Sequence, residues 1–182
     1  IYRLSSVWYN CAIQIIRWYM GKFVLAYDIG TTGVKTCLIE IDKSIRIISS
    51  ASAGYRLYVL DNGGAEQDPN EWWDAMKSTT RRIFADSAIK PEQVEGISFC
   101  SQAQGLVLVD RDGEPVHRAF SYMDQRATKE IKDGLKFGLQ IEGANVVRLL
   151  TSLAITGAAP LSVKDPLWKY LWLKNNEPSN FE

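Results

Sequence analysis

The sequence holds few of the residues that build metal clusters or covalent cross-links. Its 182 residues include one histidine, His117, and three cysteines. A metal site made of several histidines is therefore excluded, and a triad of serine, histidine and aspartate would have to be built around His117. The cysteines, Cys11, Cys37 and Cys100, are odd in number, widely spaced and without a C-x-x-C pair, which argues against a disulfide framework or a zinc knuckle. We expect them to be reduced and buried, in a cytoplasmic protein.

The sequence also lacks an excess of one charge and a long apolar run. Lysine plus arginine and aspartate plus glutamate number 21 each, so the net charge does not point to nucleic acid or to an anionic membrane. No stretch approaches the roughly 20 uninterrupted apolar residues of a membrane span. We therefore expect a small molecule or a protein as the partner, with no nucleic acid and no membrane, and a homodimer is left open.

The N-terminal segment, residues 1–19, is apolar and aromatic but shows neither helix caps nor clean periodicity. The small-residue cleavage pattern of a secretory signal is missing before the following strand. Met20 and Gly21 precede that strand and look like a natural protein start. Two interpretations stay open for residues 1–19, an upstream extension that is not native or a weakly structured helix. Length alone suggests one domain or slightly more for the 182 residues.

From residue 23 onward the sequence predicts an α/β domain with a mixed sheet and flanking helices. Runs of β-forming residues separated by polar turns indicate strands at 23–28, 36–41, 46–58 and 94–102. Asp68, Pro69 and Glu71 supply a cap, a proline at the first helical position and an acid at the third, so a helix is expected from there to about Asp86. A hairpin turn is expected at 110–113, and further helices at about 125–136, 140–155 and 166–175.

The stretch YDIGTTGVK, residues 27–35, places an acid, two glycines, two threonine hydroxyls and a lysine directly after the apolar run 23–26. A tight turn rich in glycine and threonine can present backbone N–H groups and hydroxyls to an anion. Asp28 could hold Mg²⁺, directly or through water, because magnesium prefers a carboxylate together with waters and phosphate oxygens. Lys35 could add a point charge beside a transferred phosphoryl group. The stretch therefore suits a phosphate-binding turn.

Two other interpretations of the same stretch need weighing. A P-loop requires glycine immediately before the lysine and a helix after it, whereas here Val34 precedes Lys35 and the following residues resemble a strand. An ordinary hairpin turn with a glycine pair remains the alternative for the motif taken alone.

Together with four further stretches, YDIGTTGVK resembles the N-terminal part of the FGGY family of carbohydrate kinases, and its xylulokinase-like members above all. The other stretches are, in chain order, AEQDPNEWW, ISFCSQAQGLVLVDRDGEP, AFSYMDQRAT and APLSVKDPLWKYLWLKNNEP. The resemblance runs from Phe23 to Glu182. It implies the actin-like, ribonuclease-H-like fold in incomplete form, with residues 20–182 as the N-terminal portion of the family's first domain. In that family two such domains close over a cleft that holds ATP, Mg²⁺ and a sugar or polyol.

The resemblance also implies a role for each matching residue. Asp28 would be the metal-associated acid, and the residues facing the phosphates of ATP would be Gly30, Thr31, Thr32 and Lys35. The family's substrate loop matches Ser101, Gln102, Ala103, Gln104 and Gly105. Polar side chains in such a loop would hydrogen-bond to sugar hydroxyls.

This chain departs from its relatives within the substrate-binding stretches. Xylulokinases carry Met-His and glycerol kinases carry Arg-Glu where this chain has Ala103-Gln104, so the identity of the sugar is open. Tyr122 stands where the family's W-x-D-x-R stretch has tryptophan, and Gln104 and Tyr122 are the better candidates for sugar contacts. Asp124 and Arg126 follow in that stretch, and they form either a structural ion pair that fixes the loop or a direct contact with the sugar.

No acid of this chain matches the family's catalytic aspartate, which lies further along. We therefore expect the general base beyond residue 182, and the 182-residue chain alone to be inactive. The complete protein would transfer the γ-phosphoryl group of ATP to a sugar hydroxyl. Two alternatives stay open: another ATPase of the actin-like fold, and a non-catalytic half-domain that binds a sugar or a protein partner.

Overall fold

The computed structural model describes residues 22–135, 140–141, 144–157 and 159–181. The predictions for residues 1–19 and for Cys11 lie outside the described residues. The strands, in chain order, are β1 Lys22–Ile29, β2 Gly33–Ile41, β3 Ile45–Gly54, β4 Tyr58–Val59, β5 Ala65–Gln67, β6 Val94–Ser101, β7 Ala119–Phe120, β8 Gln140–Ile141 and β9 Ala144–Asn145. The helices are α1 Pro69–Asp86, α2 Thr128–Leu135, α3 Val146–Thr156 and α4 Pro166–Asn176. Single turns of 3₁₀ helix lie at Pro91–Gln93 and Pro178–Phe181.

These elements group into two compact units. The described residues of the first unit are 22–54 and 74–101, and those of the second unit are 55–73 and the described residues after 101. Helix α1 begins in the second unit and continues into the first. Within the described ranges, no helix combines the length and the apolar character that crossing a bilayer requires.

The first unit is built on a four-stranded sheet of order β3-β2-β1-β6. Strands β1, β2 and β3 are consecutive antiparallel neighbours joined by short turns, whereas β6 pairs with β1 in parallel. The sheet is therefore mixed, as the sequence predicted, and β1 has the central position expected from its apolar run.

The core of the first unit lies between one face of this sheet and α1. Alternate residues of β1 and β2, among them Tyr27 and Thr36, are buried, and Ile83 of α1 is fully buried with them. The Tyr27 hydroxyl lies 2.7 Å from the Thr80 hydroxyl, and that of Thr36 lies 2.7 Å from the hydroxyl of Thr79. Because side chains alternate along a strand, the residues that follow Tyr27 and precede Thr36 project from the opposite face.

The second unit contains a small antiparallel sheet of order β4-β5-β7. Its core collects buried apolar side chains from β7 and from α4, including Phe120, Trp168 and Leu173. Helices α2 and α4 approach closely at Gly134, where a Cβ atom would overlap the Trp168 ring. A glycine is thus required at this helix contact, because any larger residue would displace the tryptophan.

The predicted start of α1 is confirmed, although one side chain there acts differently from the prediction. The Asp68 carboxylate accepts a hydrogen bond from the Asn70 amide at 2.9 Å and so caps the helix. Glu71 does not turn back toward the cap, because its carboxylate accepts hydrogen bonds from the Arg56 amide and the Tyr58 hydroxyl, both at 2.8 Å. These two bonds, the Arg56 amide first, lower the pKa of Glu71 below its usual value.

Several element boundaries differ from the prediction. The third β segment, predicted over 46–58, ends at Gly54, and Tyr58–Val59 pairs separately with β5. The turn at 110–113 is present, but the residues flanking it form isolated bridges and not a continuous hairpin. Helix α3 begins only at Val146, because Asn145 caps it by accepting a hydrogen bond from the Arg148 amide at 2.9 Å.

Candidate functional site

The turn between β1 and β2 is held in one narrow conformation. The Gly30 amide donates a hydrogen bond to the Gly33 carbonyl at 3.0 Å, and Ile29 pairs with Val34 across the base of the turn. A Cβ atom at Gly33 would lie 2.5 Å from the carbonyl oxygen of Ala53 on β3, so glycine is needed where these strands approach. The turn therefore carries its two threonines, residues 31 and 32, at a fixed place beside the sheet.

A row of polar residues crosses the sheet next to this turn. Asp28 on β1 lies opposite Lys35 on β2 and beside Cys100 on β6, while Lys35 lies opposite Ser52 on β3. Residues in register on neighbouring strands share a face, and all four of these residues are exposed. The face of the sheet away from α1 thus presents a carboxylate and an ammonium group side by side, directly below the glycine turn.

This exposed face suits the binding of phosphate and magnesium. Mg²⁺ is commonly held by one or two carboxylates together with waters and phosphate oxygens, so a single open carboxylate at Asp28 fits the ion. In the described part of the chain, no three histidine, cysteine or acidic side chains converge as a metal cage would require. The prediction that the cysteines are buried is wrong for Cys100, which is exposed because it shares the outward-facing row with Asp28, and Cys37 is only half-buried.

The loop after β6 belongs to the second unit and contains the predicted sugar-binding residues Gln102, Ala103 and Gln104. The Gln102 amide nitrogen donates a hydrogen bond at 2.6 Å to the side-chain oxygen of Gln67, which is fully buried. The side-chain oxygen of Gln102 is buried as well and has no hydrogen-bond partner among the described residues. Gln102 therefore has one acceptor still to be used, at the start of a loop whose next two residues are exposed.

Gln104 adopts an uncommon backbone conformation, and a buried lysine holds it. Its φ is +59°, in the left-handed region that residues other than glycine seldom occupy. The Lys169 ammonium of α4 donates hydrogen bonds to the Gln104 carbonyl at 2.6 Å and to the Ser121 carbonyl at 2.9 Å. Burial lowers the pKa of Lys169 to about 8, against the opposing effect of the nearby Asp124 and Asp165 charges.

The second predicted stretch, from Tyr122 to Arg126, is built around a buried ion cluster. Asp124 is completely buried, and its carboxylate lies 2.7 Å from the Arg126 guanidinium, which also lies 2.7 Å from the carboxylate of Glu66. Both Asp124 oxygens already accept hydrogen bonds, from the Ala65 amide and from the backbone and side chain of Arg126. The structural ion pair considered from the sequence is thus present, and a sugar contact at Asp124 stays a prediction.

Aromatic rings enclose the Arg126 guanidinium. Its central carbon lies 4.3 Å from the centre of the Phe120 ring and 4.5 Å from that of Trp172. His117 stacks on Phe120 at 5.1 Å, and its Nε2 lies 3.3 Å from the Glu177 carboxylate. The single histidine therefore lies beside aromatic and acidic groups in the packing of the second unit.

The structure brings the predicted residues together in two sets. In the first unit Asp28 and Lys35 are cross-strand neighbours at the glycine turn. In the second unit, Lys169 ties the loop of Gln104 to the segment that precedes Tyr122, which is half-buried. Sequence reasoning missed Lys169, and the available signal was a lysine within the otherwise apolar run PLWKYLWL.

Comparison with known proteins identifies relatives of this chain. Residues 23–182 match the FGGY family of carbohydrate kinases, N-terminal domain. The xylulose kinase of Staphylococcus epidermidis is 33% identical over 157 residues, which are 86% of this chain and 28% of that protein. The solved gluconate kinase from Lactobacillus acidophilus matches with a TM-score of 0.71 and 26% identity, over 88% of this chain and 30% of that one. The ligand-bound xylulose kinase of the same organism matches with a TM-score of 0.70, 26% identity and the same coverage.

These matches confirm the predicted fold class, the actin-like and ribonuclease-H-like arrangement of a mixed sheet with flanking helices. The chain spans between 28% and 30% of the length of the three proteins just named.

Proposed function

The chain belongs to the FGGY family of carbohydrate kinases, and from that premise we propose that the complete protein phosphorylates a sugar or polyol with ATP. The β–γ bridging oxygen of ATP loses the γ-phosphoryl group, which a sugar hydroxyl oxygen gains, and the hydroxyl proton passes to a base. Xylulose is the first substrate to test, because xylulose kinases are among the relatives. The observation that carries the proposal is the exposed Asp28–Lys35 pair beside the glycine turn.

The first unit is proposed to bind the phosphates. Lys35 supplies a fixed positive charge next to the turn, and Thr31 and Thr32 offer hydroxyl and backbone groups at its tip. Gly33 keeps the turn pressed against β3, so these groups need little reorganisation when charge develops on the transferring phosphoryl group. Asp28 would hold Mg²⁺, which when bound neutralises charge on the phosphate oxygens.

The second unit is proposed to bind the sugar. Gln102 brings a side-chain oxygen that has no partner among the described residues, and Gln104 brings an exposed amide. Tyr122 adds a hydroxyl, whereas Ala103 adds no polar group and leaves room for the substrate. Asp124 is a further candidate for a sugar contact. A site lined by hydrogen-bonding side chains discriminates against any sugar that leaves those side chains unpaired, and the loops would select among polyols in this way.

The hydroxyl proton is proposed to pass to a group outside these 182 residues. No acid of the chain is assigned as the general base, since none matches the family's catalytic motif. The 182-residue chain taken alone is accordingly proposed to be inactive, and the complete protein to act in the cytoplasm.

The test measures sugar-dependent ADP release by the complete protein over a panel that includes xylulose, glycerol and gluconate. Asp28→Asn is expected to lower kcat at least about 100-fold, because the carboxylate that would hold Mg²⁺ is lost. Asp42→Asn, in the exposed β2–β3 turn of the same unit, is the matched control and should retain activity. Turnover of Asp28→Asn at the control's level would remove Asp28 from the site. ATP hydrolysis unaffected by every sugar would favour the other ATPases of this fold, and an inactive complete protein would favour the binding half-domain.

A further inference from the structure

Lys169 is an unusual residue for the place that it occupies. Its side chain is fully buried, on the same helix α4 that supplies Trp168 and Leu173 to the core of the second unit. No carboxylate lies within ion-pair distance of its ammonium group in the part of the chain that the structure describes. Burying a charge that has no directly paired counter-ion is unfavourable, and a leucine or methionine would fill the same space without that cost.

The hydrogen bonds of Lys169 explain why a charged donor is present. Its ammonium donates to the backbone carbonyls of Gln104 and Ser121, at 2.6 Å and 2.9 Å. Bonds from a charged donor are stronger than bonds between neutral groups, and here one donor joins residues of two separate loops. Ser121 directly precedes Tyr122, so both connected segments carry a residue proposed to contact the sugar.

Gln104 needs such a restraint more than its neighbours do. At a φ of +59° its backbone is in a conformation that non-glycine residues keep only where the surroundings fix it. The Lys169 bond fixes the carbonyl of this same residue, and therefore the direction in which its exposed side chain leaves the loop. Without the bond, Gln104 is expected to return to a common backbone conformation and turn its amide away.

We propose that Lys169 is a positioning residue for sugar recognition, which sets the Gln104 and Tyr122 segments in one arrangement by holding their backbone carbonyls. The proposal rests on the proposed kinase function, because it concerns the same sugar-binding residues. Lys169 itself is buried and is assigned no contact with the substrate.

The test compares two lysines of α4 in the complete protein. Lys169→Met removes the donors and keeps an apolar chain, and Lys174→Met makes the same change at an exposed position five residues further along the helix. We expect Lys169→Met to raise the KM for the sugar by about tenfold or more, as a misplaced hydrogen-bonding loop would. The KM for ATP should stay within about twofold of the wild type, as in the control. Equal increases in both KM values, or none, would overturn the proposal.

A second variant and a second measurement keep the test decisive. Lys169→Gln retains a neutral donor and should recover part of the sugar affinity. If Lys169→Met fails to fold, Lys169→Gln takes its place in the comparison with the wild type. Hydrogen–deuterium exchange of peptides covering 102–106 and 121–123 should be faster in the variants than in the wild type. Unchanged exchange there would refute the positioning role. If the wild type phosphorylates no sugar, the kinase proposal fails by itself, and the exchange measurement still decides whether Lys169 holds the loops.

Discussion

Replacing Arg126 by methionine is the sharpest test of what stabilises the second unit. The Arg126 side chain is 4% exposed, and its partners Asp124 and Glu66 are 0% and 8% exposed, with both N–O distances at 2.7 Å. Methionine keeps apolar contact with Phe120 and Trp172, so most of the loss is electrostatic. Removing one partner of a buried ion pair costs about 3–5 kcal/mol, because the other charge stays buried and unpaired. Two carboxylates are left here, so we expect a loss in the upper part of that range.

The assay is urea unfolding of the complete protein followed by tryptophan fluorescence, in the transition that includes this unit. Arg118→Met is the matched control, since Arg118 is exposed and stacks on the Tyr58 ring at 3.9 Å. That contact is expected to contribute only about 0.5–1 kcal/mol. The double variant Arg126→Met, Asp124→Asn should lose less unfolding free energy than the two single variants lose in sum. The difference should be about 1 kcal/mol or more, because Asp124→Asn removes the charge that Arg126→Met leaves unpaired. Additive losses, or an Arg126→Met loss no larger than that of Arg118→Met, would refute the reasoning.

Two further predictions concern the glycine turn and the buried lysine. Gly33→Ala should raise the KM for ATP and change the KM for the sugar little, because the added Cβ would lie 2.5 Å from the Ala53 carbonyl oxygen and push the turn off β3. An unchanged KM for ATP in steady-state kinetics would contradict this. The pKa of Lys169 is lowered from 10.5 to about 8, chiefly by burial, so between these pH values the unfolded chain binds more protons than the folded one. Stability relative to Lys169→Met should therefore rise with pH across that window, by at most about 3 kcal/mol, and a fall between urea midpoints at pH 7.5 and 10 would show that the sign is wrong.

Local sequence signals were sufficient wherever a few neighbouring residues determine the structure. Asp68 and Pro69 marked the start of α1 because capping depends only on the first turn of a helix. The glycine pair at residues 30 and 33 marked a tight turn, and the continuous apolar run of residues 23–26 marked β1 before it. The second strand was expected to begin only at residue 36, whereas β2 begins at Gly33. The pairing of Asp28 with Lys35 was therefore not predicted, although a short turn fixes the register of two antiparallel strands.

Local sequence patterns did not predict features that depend on contacts between residues far apart in the chain. The run from residue 46 to 58 was predicted as one β segment, but β3 ends at Gly54 and Tyr58–Val59 pairs with β5 instead. The Lys169 bond to Gln104 joins residues 65 apart in sequence, and no local pattern reports a contact at that separation. From the sequence alone, a lysine within an apolar helical run is expected at the protein surface, and its contact with a distant loop is not predicted.

Arg126 and Lys169 show two ways of using a buried cation in the same unit. Arg126 is matched by two carboxylates and enclosed by two aromatic rings, so its charge is neutralised where it lies and its removal is felt as lost stability. Lys169 has carbonyl dipoles as its hydrogen-bond partners, so its charge remains a net cost that the loop bonds only partly offset. Stability alone would favour an apolar residue at 169 but not at 126. The lysine is therefore better explained by the arrangement of the two loops that it joins than by the strength of the core around it.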